Sequence, residues 1–310
     1  MKSDFLGIDT SNYTTSAAIY HSGESLEQNK QLLPVKSGQL GLRQSDAVFH
    51  HVQQLPHILE PLLQNDYHIQ AVGVSDKPRD IAGSYMPCFT VGYGTAKAIA
   101  LAQHIPLYTF SHQAGHIAAA LYSAGKLELL KENFIAFHVS GGTTEAVFVT
   151  PNKDTVFSAQ IIASSLDLKG GQAVDRVGAM LGLPFPAGKE LEKLALACEK
   201  KFSIKPSLKG SDCSLSGIEN HCKKMLETGS SKEEIAGYCL QSILAALDAM
   251  CGLLLKQYGK LPVVFAGGVM SNSIIRNALT NKYGAYFAAP EYSADNAAGV
   301  AVLAAMREAQ

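Results

Sequence analysis

The chain has 310 residues, of which 47% are hydrophobic and 17% charged, with a formal net charge of -1 and a pI of about 6.8. These values argue for a folded chain with a substantial core and room for two domains, and they exclude extended disorder. They also exclude a global basic field, so any nucleic acid would have to be held by a local patch or a partner.

The six cysteines (Cys88, Cys198, Cys213, Cys222, Cys239 and Cys251) form no CxxC pair. With no leader and no segment that reads as a membrane span, free thiols in a reducing cytoplasm are expected. Residues 5–9 read as a short buried strand that ends on Asp9, residues 10–15 as a hydroxyl-rich turn and residues 16–20 as a returning strand. Backbone N–H groups and hydroxyls in such a turn can meet phosphate oxygens, while Asp9 can hold a metal or a water. An ordinary polar hairpin has the same pattern.

A helix is predicted over residues 46–63, capped by Ser45 and kinked at Pro56. Residues 70–75 read as a strand. Residues 76–88 form an irregular loop in which Lys77, Arg79 and Tyr85 are available to a ligand or to solvent. A small-residue helix over 94–104 and a strand over 106–110 lead into Ser111-His112-Gln113-Ala114-Gly115-His116. On a helix, His112 and His116 project from one face one turn apart, the geometry for gripping one metal ion. Two structural histidines would have the same spacing.

The second half repeats the plan. Residues 134–139 read as a strand, Ser140-Gly141-Gly142-Thr143-Thr144 as a tight turn and residues 145–150 as the return. Two glycines let a backbone approach a phosphate closely, and they also suit a plain hairpin. The sheet continues over 160–164. Helices follow over 172–182, carrying Asp175, and over 189–200, after a turn at 184–188. Ser214-Leu215-Ser216-Gly217 opens another, and the capping box from Ser231 to Glu234 opens a long one that ends near Gly259.

Residues 261–266 read as a buried parallel strand. Gly267-Gly268-Val269-Met270-Ser271-Asn272 then leads into a helix over 273–282. Adenine nucleotides dock at such turns because no side chain blocks the base or ribose. After a last strand over 286–289, Asp295-Asn296 precedes a helix over 297–308. Asp295 reads either as the N-cap of that helix or as the carboxylate that completes a 2-His-1-carboxylate site. The expected fold class is α/β: two similar actin/Hsp70-like (ASKHA) domains with a nucleotide cleft between them. Their expected extents are residues 1–125, completed by the C-terminal helix 296–310, and residues 126–295.

One family carries these features in this order. The motifs are Leu6-Gly7-Ile8-Asp9-Thr10-Ser11, His112 with His116, Val139-Ser140-Gly141-Gly142-Thr143 and Gly171-Gln172-Ala173-Val174-Asp175 followed by Leu181-Gly182-Leu183. Ser214-Leu215-Ser216-Gly217, Ala266-Gly267-Gly268-Val269 with Asn272, and Asp295-Asn296 complete the set. Over nearly its whole length the chain resembles the TsaD/Gcp proteins, which make N6-threonylcarbamoyladenosine in tRNA and were formerly named O-sialoglycoprotein endopeptidases.

The resemblance implies one divalent metal, Fe(II) or Zn, on His112, His116 and Asp295. It implies an adenine nucleotide or acyl-adenylate on His138, Val139, Ser140, Gly141, Gly142, Asp175, Gly188 and Asn272. The implied reaction moves a threonylcarbamoyl group from its adenylate to N6 of adenosine in tRNA, in the cytoplasm, with TsaB-like and TsaE-like partner proteins and no membrane. Asp9 is the one candidate for a catalytic role.

The chain also departs from the family. The acidic residues usual after Thr-Ser are replaced by Tyr13 and Thr14, so a general base on the incoming amine is missing there. Gln113-Ala114-Gly115 stands where the family has an acid between the histidines. A longer segment, from Lys77 to Pro87, replaces a glycine-proline-glycine loop. These changes suit a divergent paralogue that carbamoylates another acceptor. A non-catalytic nucleotide-binding scaffold is a further alternative. Against a metallopeptidase stands the missing HExxH glutamate.

Overall fold

The structure is a computed structural model that describes residues 3–11, 13–23, 25–34, 42–65 and 67–310. Asn12, in the first hairpin turn of the sequence reading, and Met1-Lys2 at its start lie outside the described residues. The strands are β1 Asp4–Ser11, β2 Thr14–His21, β3 Ser25–Leu32, β4 Ile69–Lys77, β5 Leu107–Ser111 and β6 Phe134–Val139. They continue as β7 Thr144–Asn152, β8 Val156–Ser164, β9 Ser207–Lys209, β10 Asp212–Ser214, β11 Val263–Ala266 and β12 Tyr286–Phe287. The first helices are α1 Gln44–Leu63, α2 Phe89–Gln103, α3 His112–Ser123, α4 Gly170–Met180 and α5 Gly188–Leu196. The others are α6 Ser216–Glu227, α7 Lys232–Tyr258, α8 Ser273–Tyr283, α9 Pro290–Ser293 and α10 Ala298–Glu308.

The chain divides into two compact units. Unit 1 holds Met1–Glu132, Thr150–Ala159 and Glu291–Gln310, and unit 2 holds Asn133–Val149 and Gln160–Pro290. The sheet of unit 1 has the order β3-β2-β1-β4-β5, with β1, β2 and β3 antiparallel and β4 and β5 parallel to β1. Side chains alternate across β1. Leu6 and Ile8 are fully buried in a core with Leu55 and Ile58 of α1 and Ala96 and Ala100 of α2. Gly7 and Asp9 leave the opposite face, toward α10 and α3.

On that face α10 lies unusually close. A Cβ built on Gly73 of β4 would stand 2.1 Å from the Val300 carbonyl oxygen, and one on Gly299 would stand 1.8 Å from the Gly115 carbonyl oxygen of α3. α10 is therefore made of small and branched residues, and all of Ala298 to Ala305 are buried. A helix that is apolar all round belongs inside a protein.

The second five-stranded sheet, built mostly from unit 2, has the order β12-β11-β6-β7-β8. Counted within the unit, this is the same 3-2-1-4-5 path: β7 is antiparallel to β6, and β11 and β12 add in parallel on its other side. The fold is thus α/β with two mixed sheets of one topology. The α7 helix is long and apolar enough to cross a membrane by length and composition, a segment that the sequence reading did not expect. Its Ile235, Leu240, Ile243, Leu247, Met250 and Leu254 fill the core of unit 2. All six cysteines are free, and all but Cys198 are buried.

Two elements differ from expectation for physical reasons. β3, Ser-Leu-Glu-Gln-Asn-Lys-Gln-Leu, is a polar edge strand without an apolar stripe, so alternation could not reveal it. The small-residue helix starts at Phe89, directly after the segment read as a loop and ahead of the expected start at 94, because Phe89 is buried and anchors it.

Gly299→Ala should lower the unfolding free energy by about 1–3 kcal/mol, since the added methyl meets backbone and not a yielding side chain. Denaturant titration measures it, and a stabilised variant would refute the close approach. A second expectation concerns His51 of α1, which is fully buried with Nδ1 2.8 Å from the Thr15 hydroxyl. Burial pushes its pKa down to about 4, against the pull of Asp9. Because the unfolded chain takes up this proton first, the His51 contribution is complete above pH ~6.5 and is lost as pH falls toward 4. The slope is about 1.4 kcal/mol per pH unit. In His51→Gln the fall in thermal stability between pH 6.5 and 4.5 should be shallower by that amount.

Candidate metal centre and nucleotide cavity

The histidine helix begins where β5 ends. Ser111 caps α3, its hydroxyl accepting from the Ala114 N–H, so His112 is the first helical residue and His116 stands one turn further on. The ring Nε2 atoms are 3.0 Å apart. Asp295 Oδ1 lies 3.5 Å from His112 Nε2 and 3.3 Å from His116 Nε2. Three donors each about 2.1 Å from a common ion stand roughly 3.0–3.4 Å from one another. The donor set therefore fits a metal in chemistry and in spacing, and all three ligand atoms lie within 4.8 Å of each other.

The two readings of Asp295 separate here. Asn296 holds the start of α10, accepting from the Ala298 N–H at 3.0 Å, while the Asp295 carboxylate meets the two imidazoles. All of these groups lie in unit 1.

Asp9 stands behind His112. Its Oδ2 lies 2.9 Å from His112 Nδ1 and also accepts from the Ser75 hydroxyl, and its Oδ1 accepts from the Ser11 N–H at 2.9 Å. Such a carboxylate fixes the ring and turns its other nitrogen toward a metal. Burial raises the Asp9 pKa, but the charge of His112 and the hydrogen bonds from His112, Ser75 and Ser11 outweigh it, and the group is lowered. Burial also acts to lower His112, yet Asp9 and Asp295 push it up to about 10. His116 is lowered by burial and by the charge of His112. Asp295, which burial alone would raise, is held well below the usual carboxylate range by the two histidines. A field that holds a proton on His112 favours a divalent cation in its place.

In unit 2 a cavity of about 530 Å³ is lined by Gly141, Asp175, Gly188, Gly268 and Asn272, together with Gly171, Val174, Lys189, Glu192 and Ser271. Gly171, at the start of α4, packs so tightly on the β6–β7 turn that a Cβ there would stand 2.6 Å from the Gly141 nitrogen. At Gly141 and Gly268 a Cβ would meet nothing within 4 Å. The protein itself gives no steric reason for glycine at those two positions, and a ligand brought against the backbone would.

Asp175 accepts from the Ala187 N–H at 2.9 Å and is raised by burial, an effect that this bond opposes. The Asn272 side chain caps α8 by accepting from the Ile275 N–H. Of the other residues expected on the nucleotide, His138 and Val139 are buried within β6, and Ser140 and Gly142 flank Gly141 in the turn. Sequence reasoning missed Glu192, which accepts from the Ser273 N–H at 2.6 Å and lines the cavity. A pairing between residues 81 apart leaves no local signal.

Two mixed sheets of this topology define an actin/Hsp70-like ASKHA protein. Solved structures with the same fold include component A of (R)-2-hydroxyglutaryl-CoA dehydratase from Acidaminococcus fermentans, at TM-score 0.59 and 18% identity over 99% of both chains. Full-length HypF gives a TM-score of 0.60 at 14% identity, covering 99% of this chain and 46% of that one. Within this class the chain belongs to the TsaD family: the model of that family, described as tRNA N6-adenosine threonylcarbamoyltransferase, matches residues 34–302.

A tRNA N6-adenosine threonylcarbamoyltransferase of Lacticaseibacillus casei (strain BL23) is 30% identical over 290 residues, 88% of this chain and 81% of that protein. A protein of the same name from Bacillus subtilis (strain 168) is 29% identical over 293 residues, 90% of this chain and 81% of its own. A probable bifunctional tRNA threonylcarbamoyladenosine biosynthesis protein of Thermoplasma acidophilum is 26% identical over 300 residues, 94% of this chain and 54% of its length.

Asp9→Asn should weaken metal binding by roughly 10–100-fold, because the orientation of His112 is lost while its three candidate donors remain. Competition with a chromophoric chelator measures this. Unchanged affinity would remove Asp9 from the site.

Proposed function

We propose that this chain transfers a threonylcarbamoyl group from threonylcarbamoyl-AMP to N6 of an adenosine in tRNA, with a divalent metal, Fe(II) or Zn, on His112, His116 and Asp295. The observation that carries this reading is the convergence of those three donors in a chain of the TsaD family. In the reaction, the N6 amine attacks the carbamoyl carbon. The new N–C bond forms, the C–O bond to phosphate breaks, AMP departs with the electron pair, and N6 gives up one proton.

The metal would supply Lewis-acid polarisation of the carbonyl and a template for substrate. His112 is held through Nδ1 by Asp9, which leaves Nε2 as its ligand atom. With both its oxygens engaged, Asp9 serves better as a positioning residue than as the base on the amine. The adenylate is assigned to the unit 2 cavity, with Asp175 toward ribose hydroxyls and the backbone at Gly141, Gly188 and Gly268 close to the ligand. Asn272 lines the same cavity, and His138, Val139, Ser140 and Gly142 belong with the β6–β7 turn. The partners in this reading are tRNA and TsaB-like and TsaE-like proteins, in the cytoplasm.

A second reading keeps the donor chemistry and changes the acceptor. Tyr13 and Thr14, in place of the family's acids, favour it, as does Gln113-Ala114-Gly115, which puts no acid between the histidines. The candidate donors speak against a scaffold without chemistry.

The test supplies threonylcarbamoyl-AMP, tRNA and the two partner proteins to the purified chain. Modified adenosine should form, and His116→Ala should lower the rate by about 100-fold or more, since metal polarisation is worth several kcal/mol. A metal-loaded chain that consumes the adenylate and leaves tRNA unmodified would discard tRNA as acceptor and keep the transfer chemistry.

A further inference from the structure

Lys30 occupies a place in unit 1 that the reaction above does not use. It stands on β3 opposite Ser16 of β2, which stands opposite Asp9 of β1. Cross-strand partners share one face of a sheet, so Lys30 and Asp9 leave the face that carries His112. The Lys30 Nζ donates to the main-chain carbonyl of Glu291 at 2.7 Å. Glu291 begins the segment that leads to Asp295, and the charges of both acids act on the Lys30 ammonium.

Lys30 is half-buried, and among the described residues no carboxylate oxygen lies within ion-pair distance of its Nζ. A lysine drawn partly out of water is ordinarily paired. Its ammonium has three N–H donors, and the carbonyl takes one. Charge points the same way. Asp9 and Asp295 bring two negative charges, and His112 and His116 bind a metal as neutral imidazoles. A divalent ion balances the two carboxylates and leaves the Lys30 charge over. The Glu291 carboxylate is exposed, where solvent screens it. Lys30 is not alone in holding the Glu291 segment. Tyr292 packs edge-on against Tyr122 of α3, which packs in the same way against Tyr20 of β2.

We propose that Lys30 is an anion-binding residue of the metal site, contacting a carboxylate or phosphate oxygen of the substrate beside the ion. This rests on the metal and acyl-adenylate reading above. Threonylcarbamoyl-AMP carries both kinds of anion. AMP has the phosphate alone, and N-carbamoylthreonine has the carboxylate alone.

Calorimetric titration of the metal-loaded full chain with these three compounds tests the proposal, in the wild type, Lys30→Met and Lys30→Arg. Metal content and melting temperature are measured alongside. Lys30→Met should bind threonylcarbamoyl-AMP about ten-fold more weakly, the loss expected for one charge-assisted hydrogen bond. It should lose a similar factor for whichever fragment carries the contacted anion. Lys30→Arg should stay near the wild type, and metal content should not change. A Met variant that binds all three compounds like the wild type overturns the proposal. So does an Arg variant as weak as Met with an equally lowered melting temperature, which would make Lys30 a structural tether. A wild type that takes up no metal, or that takes it up and binds no adenylate, defeats the underlying reading as well, and it shows before any variant is compared.

Discussion

The candidate metal centre depends on two backbones touching. α10 lies against β4 at Gly73 and crosses α3 where Gly299 meets Gly115. No side chain separates the helices there, so their distance is set by hard-core repulsion and not by adjustable rotamers. Gly115 is the residue before His116, and Gly299 is four residues after Asp295. The crossing thus fixes how far the carboxylate stands from the imidazoles. The same demand for closeness explains the buried alanines of α10.

The two units take one sheet path and put different chemistry on it. In unit 1, the end of the first strand carries a carboxylate, and the imidazole that answers it comes from a helix start. In unit 2, the corresponding hairpin ends in glycines, and what gathers there is main chain and open volume. The one arrangement suits a charged centre and the other suits a ligand recognised largely through the backbone. A duplicated scaffold can diverge in this way, because strand ends tolerate changes in residue type that the interior of the sheet does not.

Much of this is legible in the residues themselves. The paired hairpins, the His112–His116 spacing and the glycine turn after β11 are local patterns, and local patterns survive in sequence. Asp295 was visible only as an ambiguity, because an acid before a helix caps it far more often than it meets two histidines; only the Asn296 side chain on the Ala298 N–H separates the two roles. Asp9 was visible as an acid at a strand end, but its partnership with His112 spans 103 residues. Glu192 and Lys30 were illegible for the same reason. Both act through contacts made only once distant segments have folded, and one stands on an edge strand too polar for hydrophobic periodicity to reveal.

Unit 1 is discontinuous along the chain: its last piece, Glu291–Gln310, follows all of unit 2. That piece brings Asp295, the helix that seats it and the carbonyl that Lys30 holds. During synthesis the two histidines emerge early and wait, while the remaining donor leaves the ribosome only after the second unit has been made. A nascent chain can therefore present a pair of imidazoles but not all three candidate donors until the second unit has been made.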